Sequence, residues 1–194
     1  MFNKEKAKST DTVACNLVAN GGSNDRVKAG GVFKVLCHDK DGNLKWEAES
    51  HNLVVNVGLQ DMNAKYFTGS SYTATWYLGL YGAAASNNPA ASDTMSSHAG
   101  WTEVTAYSQS TRPACSFGTA STANPSVIAN SGSPALFSMN GSATISGAFL
   151  TSNNTKSGAT GTLFSAALFQ SPGDRTVVSG DSLTVTYTLS LTSS

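Results

Sequence analysis

The segment Gly180–Thr192 near the C-terminus constrains the fold most, because apolar and hydroxyl side chains alternate along it. Successive side chains of a β-strand point to opposite faces of a sheet, so this period of two predicts one long strand. One face would be buried and the other lined by hydroxyl groups, and we expect the strand at the centre of its sheet. The apolar face would carry Leu183, Val185, Tyr187, Leu189 and Leu191, and the hydroxyl face Thr184, Thr186, Thr188, Ser190 and Thr192.

Much of the remaining chain consists of short apolar runs separated by Gly, Pro, Asn and Ser clusters. Eight or more short strands at such intervals are typical of a β-sandwich or jelly roll. The length of 194 residues suits one such domain. The predicted fold is therefore all-β, and beyond the N-terminal third its candidate strands are 72–81, 102–107, 114–117, 135–139, 143–150, 162–169 and 176–191.

A hairpin is predicted between residues 31 and 49, where two apolar-rich runs flank the turn sequence Asp39–Asn43 (DKDGN). Its Asp-Gly pair supplies the positive φ angles that tight hairpin turns need. The two aspartates and the final asparagine also have the spacing of a calcium loop. That loop, however, requires Gly and Glu at the positions of Leu44 and Ser50. We therefore interpret the segment as a turn without a metal.

One short helix is predicted at residues 59–67, where Leu59, Met62 and Tyr66 are spaced to share one helix face. It follows a predicted strand at 51–58 and would cap the sandwich. Residues 83–100 show no periodic pattern and would form a long irregular connection. Loops longer than about 15 residues are more often functional or disordered than inert, so this connection and its neighbour Trp101 are a candidate recognition surface.

Charge is unevenly distributed, since 17 of the 24 charged side chains lie in the first 65 residues. A body with so few charges suits a protein packed against copies of itself or a larger assembly. The alternative is a soluble β-domain with a Ser/Thr-rich surface. The formal net charge is zero, which gives nucleic acid no electrostatic reason to bind. We expect protein partners and no nucleic acid.

Residues 1–29 are predicted to form an extended N-terminal arm, and residues 30–194 a single β-sandwich domain. The arm contains early lysines, the loop signal Asn20–Asn24 and little periodicity. It would lie across a neighbour, or it would be a frayed terminus. No apolar run approaches the roughly 18 residues that cross a bilayer, and the start lacks the apolar core of a signal peptide. We therefore expect no membrane association and synthesis in a cytosol.

The cysteines and histidines do not form a recognisable reactive or metal-binding motif. Cys15, Cys37 and Cys115 are an odd set without a Cys-x-x-Cys pair, so we interpret them as reduced, small apolar residues. The three histidines lack the spacing of paired metal ligands, and no Gly-x-Ser-x-Gly elbow marks an activated serine. These patterns favour neither a metal site nor nucleophilic catalysis.

The acidic residues give no clear sign of an enzyme either. Glycoside hydrolysis needs two carboxylates that face one sugar, whereas each acid beyond the hairpin has a local explanation in a turn or cap. There is also no Walker loop or Gly-x-Gly-x-x-Gly. We expect a protein without catalytic residues, cofactor or metal. The acids in question are Asp61, Asp93, Glu103, Asp174 and Asp181.

Four blocks of the sequence stand out in order along the chain: His51–Leu59 (HNLVVNVGL), Trp76–Leu80 (WYLGL), Ser92–Met95 followed by Gly100–Glu103 (SDTM and GWTE), and Gly180–Tyr187 (GDSLTVTY). Together they resemble virion proteins of tailed bacteriophages and their prophages. The first block is similar to the Asn-Leu-Val-x-Asn-x-Gly-Leu element of those proteins. The resemblance implies a non-catalytic particle component, either a capsid decoration (cement) protein or a tail or fibre-associated protein, and it supplies no catalytic residues.

Three hypotheses follow from the residues and the resemblance together. The first is a decoration protein, located in the virion as a homo-oligomer, that clamps major capsid subunits through its arm and one sheet edge. The second is a tail or fibre component that contacts the host through residues 83–100 and Trp101. The third is a jelly-roll carbohydrate-binding or carbohydrate-active protein, for which strand aromatics would form the platform, although core packing explains them better. The residues predicted to face the partner are Lys4, Lys6, Lys8, Arg26, Lys28 and Trp101.

Overall fold

A computed structural model describes residues 26–71, 75–82, 88–170 and 173–193. It confirms the predicted all-β fold, a β-sandwich with one short helix. The strands are β1 (Val27–His38), β2 (Leu44–His51), β3 (Leu53–Val54), β4 (Trp76–Gly82), β5 (Thr102–Val104), β6 (Ala114–Cys115), β7 (Ser126–Ala129), β8 (Ala135–Ser138), β9 (Ala143–Ile145), β10 (Gly147–Thr151), β11 (Leu163–Leu168), β12 (Arg175–Val177) and β13 (Ser182–Ser193); the helix is α1 (Asn56–Phe67).

Two antiparallel sheets pack against each other. The first sheet has the order β2-β1-β13-β7, and β8 also pairs with β13. The second sheet has the order β3-β11-β10-β4-β5, and β6 also pairs with β4. Strands β9 and β12 form a separate small pair. The main core lies between the two sheets and contains Phe33 and Val35 of β1, Leu78 and Leu80 of β4, and Leu150 of β10.

Strand β13 is the central strand of the first sheet, as its alternation predicted. It pairs with β1 over its whole length, from Val27 opposite Ser193 to His38 opposite Ser182. Its other edge pairs first with β8 and then with β7. Buried Asn130 bridges the gap between them, since its side chain donates to the Val185 carbonyl at 3.2 Å and accepts from the Tyr187 amide at 2.7 Å.

The predicted buried face of β13 is only partly buried. Leu183, Val185 and Tyr187 are fully buried between the sheets, whereas Leu189 and Leu191 are half-buried. Both half-buried leucines line an apolar cavity between the two sheets and helix α1. The hydroxyl face is partly exposed along the strand, which confirms the predicted difference between the two faces.

The predicted hairpin is confirmed between β1 and β2. The carboxylate of Asp39 accepts hydrogen bonds from the backbone amides of Asn43 at 2.8 Å and Asp41 at 2.9 Å. The bonds from Asn43 in particular lower the pKa of Asp39, because they stabilise its charged form. Gly42 has the positive φ of 84° that the turn requires. The aspartate thus serves the turn, as the sequence predicted.

Two predicted boundaries need correction. β1 begins at Val27, so the last residues of the predicted 1–29 arm already belong to the first sheet. Helix α1 begins at Asn56 rather than at residue 59. Its predicted apolar face is also wrong, since Leu59 and Tyr66 are exposed and only Met62 packs against the core. The helix instead approaches the second sheet through buried Gly58, where a side chain would overlap the Phe164 carbonyl.

The second sheet is covered on its outer face as well. A second apolar cluster joins Tyr81 of β4 and Phe149 of β10 to Met95 and Trp101 from the connection that follows β4. Residues 88–101 therefore form a cover over this sheet. Among the described helices, none is long and apolar enough to span a membrane.

Candidate functional site

The outward side of the first sheet forms a broad surface that we call the open face. Its side chains alternate with the buried core residues of the same strands, and many are hydroxyl-bearing or aliphatic. Within the described residues, the apolar clusters do not include any of these side chains. The open face comprises Val32, Lys34 and Leu36 of β1, Glu47 and Glu49 of β2, Leu136 of β8 and Thr184, Thr186 and Thr188 of β13.

Three of the nine residues that define the open face are charged, and all three lie on β1 and β2. Lys34 and Glu47 lie on neighbouring strands with their charged atoms 3.9 Å apart, and both side chains are about half-exposed. Such an exposed ion pair is screened by solvent and contributes little to the stability of the fold. Leu136 is 49% exposed at the opposite side of the same face. The uncharged part of the open face, on β13 and β8, suits contact with another protein surface.

An apolar groove opens at the end of the sandwich where the described chain begins. Its volume is about 750 Å³, within the range of roughly 300–1,000 Å³ that ligand pockets occupy. The first sheet contributes Val27, Ile128, Leu189 and Leu191, the second sheet Trp76, Leu150 and Phe164, and helix α1 Met62, Tyr66 and Phe67. The two half-buried leucines of β13 therefore line this groove.

The rim of the groove is unusually apolar. Val27, Tyr66 and Phe67 are 75%, 83% and 77% exposed, and the two rings contact each other edge to face with centroids 4.8 Å apart. The rim also contains the ion pair between Asp61 and Lys65, with a distance of 3.3 Å. Clustered exposed apolar side chains mark surfaces that bind something, so the groove is the second candidate site.

The predicted partner-facing residues lie at different places. Lys4, Lys6 and Lys8 lie outside the described residues. Arg26 and Lys28 are exposed, and Lys28 lies in β1 opposite Thr192.

Trp101 requires a correction, because its ring is buried and only 2% exposed. Its indole nitrogen donates to the carboxylate of Asp93 at 3.0 Å, and its ring stacks on His98 with centroids 3.9 Å apart. Asp93 also accepts from the amide of Ala90 at 3.0 Å. The sequence analysis predicted a recognition surface at residues 83–100 and Trp101. The ring of Trp101 instead lies in the second apolar cluster.

The acidic residues are engaged in structural contacts. Glu103 forms a two-pronged ion pair with Arg112, with both nitrogen to oxygen distances at 2.8 Å, and Arg112 is fully buried. Asp181 accepts from Lys45 at 2.6 Å and from the amide of Val178 at 2.9 Å. The bond to Asp181 raises the pKa of Lys45. These carboxylates hold loops and strand ends in place.

Cys37 and Cys115 are free and buried, as predicted, while Cys15 lies outside the described residues. Burial raises the pKa of Cys37 to about 11 and that of Cys115 to about 12, because the charged thiolate is poorly solvated there. Neither thiol is therefore activated as a nucleophile. Among the residues that the structure describes, no group of three His, Cys, Asp or Glu side chains could hold a metal ion.

The groove was not predicted, since its walls come from β1, α1, β4, β7, β10, β11, β13 and the connection between β6 and β7. One signal was present in the sequence, because the apolar alternation of β13 continues to Leu191.

Comparisons with protein-family models, curated proteins and solved structures found no match. The functional argument therefore depends on the chain's own residues and surfaces.

Proposed function

We propose that this chain is a virion structural protein, a capsid decoration protein that binds assembled major capsid subunits. The observation that carries the proposal is the open face of the first sheet. It presents threonines and aliphatic side chains on a sheet of five strands, with three charged residues on β1 and β2. Such a surface can bind another protein through its uncharged centre, with the charged residues at one side, and it needs no reactive group.

The energetic logic of such a protein is simple. A protein that binds only the assembled shell stabilises the assembled state by the free energy of binding, and many copies act together. Specific protein interfaces bury about 800 Å² on each partner, which a five-stranded sheet face can supply. Symmetric assembly of several copies would place this face repeatedly on the shell.

The N-terminal residues would add a second contact. Arg26 and Lys28 are exposed at the start of the first sheet, and Lys4, Lys6 and Lys8 precede them along the chain. Positive side chains at this end would favour an acidic patch on the capsid subunit and would increase the rate of association.

The experiment is a binding assay with heads that lack this protein. We expect the wild-type chain to bind them and to raise their resistance to heat and low salt. Thr186→Asp on the open face should lower affinity at least about tenfold, since a charge would be desolvated in the interface. Val178→Asp adds the same charge at a residue that is 48% exposed outside the open face and should bind like the wild type.

If the wild-type chain did not bind such heads, or if heads without it were equally resistant, the proposal would be wrong. A tail or fibre role predicts a different result, namely loss of adsorption with intact heads. Burial of Trp101 removes the aromatic residue on which that alternative relied. A carbohydrate role would be tested with a glycan panel, on which the decoration proposal predicts no binding or hydrolysis.

A further inference from the structure

The apolar groove lies where the described chain enters the body. Val27 is the first residue of β1 and also part of the groove wall. Residues 1–25 therefore join the body directly at the groove rim. At the same place the rings of Tyr66 and Phe67 are mostly exposed, so a large apolar surface would face water unless another segment covers it.

We propose that residues 12–19 of the same chain (TVACNLVA) dock in this groove. The segment contains Val13, Leu17 and Val18, and residues 12–24 carry no charge, whereas residues 1–11 contain five charged side chains. The groove walls are formed largely by aliphatic and aromatic side chains. Burial of these uncharged, apolar residues in the groove costs less desolvation free energy than burial of the charged residues 1–11 would.

The connection between the docking segment and β1 is short, and its sequence suits a reversal of the chain direction. Residues 20–26 (NGGSNDR) contain an Asn-Gly turn signal followed by a second glycine. Seven residues span at most about 23 Å, so the docking segment stays close to a groove that already includes Val27. A short link between two segments gives an effective concentration in the millimolar range, which favours the chain's own segment over that of another copy.

The backbone beside the groove also has room for another strand. Residues Val27–Gly30 of β1 pair with β13 on one side, whereas pairing with β2 begins only at Val32. Within the described part of the chain, the other edge of these four residues has no strand partner. A Cβ added to Gly30 would meet nothing within 4 Å. A returning segment could therefore extend the first sheet by strand addition while its apolar side chains enter the groove.

Docking at residues 12–19 would divide the N-terminal sequence into two parts. The apolar part would be fixed on the body, and residues 1–11 with their lysines would project from a defined point. This inference concerns contacts within one chain and does not rest on the proposed capsid function.

The first test uses the natural Cys15, which lies within the docking segment. Ile128→Cys in the full chain places a thiol in the groove wall, and Leu136→Cys places one on the open face as the matched control. A short bismaleimide should join Cys15 to the introduced thiol within one chain only in the first variant. The yield should not change on dilution. Absence of the crosslink, or a crosslink between two chains, would overturn the proposal.

The second test uses a dye that fluoresces on exposed apolar surface. Leu17→Asp combined with Val18→Asp in the full chain should release the segment and increase dye fluorescence several-fold. Ser23→Asp combined with Asn24→Asp adds the same charge to the link and should leave the fluorescence near the wild-type level. Equal fluorescence of wild type and the Leu17 and Val18 variant would refute docking. Neither test uses capsids, so failure of the capsid proposal would leave both results interpretable.

Discussion

The two sheets of the sandwich differ in how many of their faces are buried. The first sheet buries only the side that faces the core, and its strands alternate between buried and partly exposed residues. The second sheet is buried on both sides, so all five residues of β10 are buried. Strands of the first kind show a clear period of two, whereas strands of the second kind are continuously apolar or small.

The difference teaches where this chain can interact with other molecules. The outer face of the second sheet is occupied by residues 88–101 and by loops held through Arg112. The first sheet has no such cover among the described residues. A long irregular segment in a sequence can therefore be a structural cover, and regular strands can carry the face that stays open.

The largest expected effect tests the one-sided burial of the first sheet. Val185→Asp places a charge between the sheets, where an unpaired carboxylate costs more than the total stability of many domains. We expect no folded protein by circular dichroism. Thr186→Asp, the next residue on β13, should fold with a change of less than about 1 kcal/mol. Equal damage from both substitutions would show that the open face is covered as well.

The second prediction concerns the cover of the second sheet. Arg112→Met leaves buried Glu103 without its partner and should lower the free energy of unfolding by about 3–5 kcal/mol. Lys34→Met, which removes an exposed ion pair from the first sheet, should change it by less than about 1 kcal/mol. Urea unfolding would measure both variants. Similar small losses would mean that the buried pair does not hold the cover in place.

The third prediction compares two glycines. Gly79 lies in β4 beneath the ring of Phe149, and an added Cβ would overlap that ring. Gly79→Ala should therefore destabilise the protein by about 1–3 kcal/mol. Gly30 lies in the first sheet with nothing within 4 Å of an added Cβ, so Gly30→Ala should be neutral or slightly stabilising. Thermal unfolding of the pair would test this, and a reversed order would contradict the burial of the second sheet's outer face.

The smallest expected effect is alkaline destabilisation by the two buried thiols, one in each sheet. The pKa is about 11 for Cys37 and about 12 for Cys115, against 9.0 without burial. The pKa of each thiol is higher in the folded protein than in the unfolded chain. The folded state is therefore fully stabilised by the thiols below about pH 9, and this stabilisation is lost as the pH rises further. Ionisation of each thiol in the unfolded chain should lower the free energy of unfolding by about 1 kcal/mol at pH 10.

The control for this experiment is the variant with Cys37→Ala and Cys115→Ala. Its free energy of unfolding should fall less steeply between pH 8 and 10 in urea titrations. Some slope should remain, since burial also raises the pKa of Tyr81 and Tyr187. An unchanged slope would contradict the neutral, buried state of the thiols.

The sequence allowed prediction of the parts of the fold that depend on local patterns. The hairpin at Asp39–Asn43, the existence of α1 and the central position of β13 are all confirmed, because turn chemistry and side-chain periodicity are encoded within a few residues. The face of α1 was predicted wrongly, since the small residue Gly58, and not a large apolar one, makes its closest approach to the second sheet.

The candidate sites were harder to predict because their residues come from distant parts of the sequence. The burial of Trp101 depends on Asp93, His98 and the rings of the second sheet, and its partners on β4 and β10 come from distant parts of the sequence. The groove likewise combines residues from both ends of the described chain. Patterns within a short window contain no information on such combinations. The open face was predictable because it follows from the alternation of one strand.

The pairing of β1 with β13 has a consequence for synthesis of the protein. The first sheet joins Val27 to Ser193, so its central strand is synthesised long after the first strand, β1. Contacts between residues so far apart form slowly. Until β13 has been synthesised, β1 lacks its main pairing partner, and the apolar residues on its inner face are exposed to other chains. Truncation within β13 should therefore cause aggregation rather than a smaller folded body.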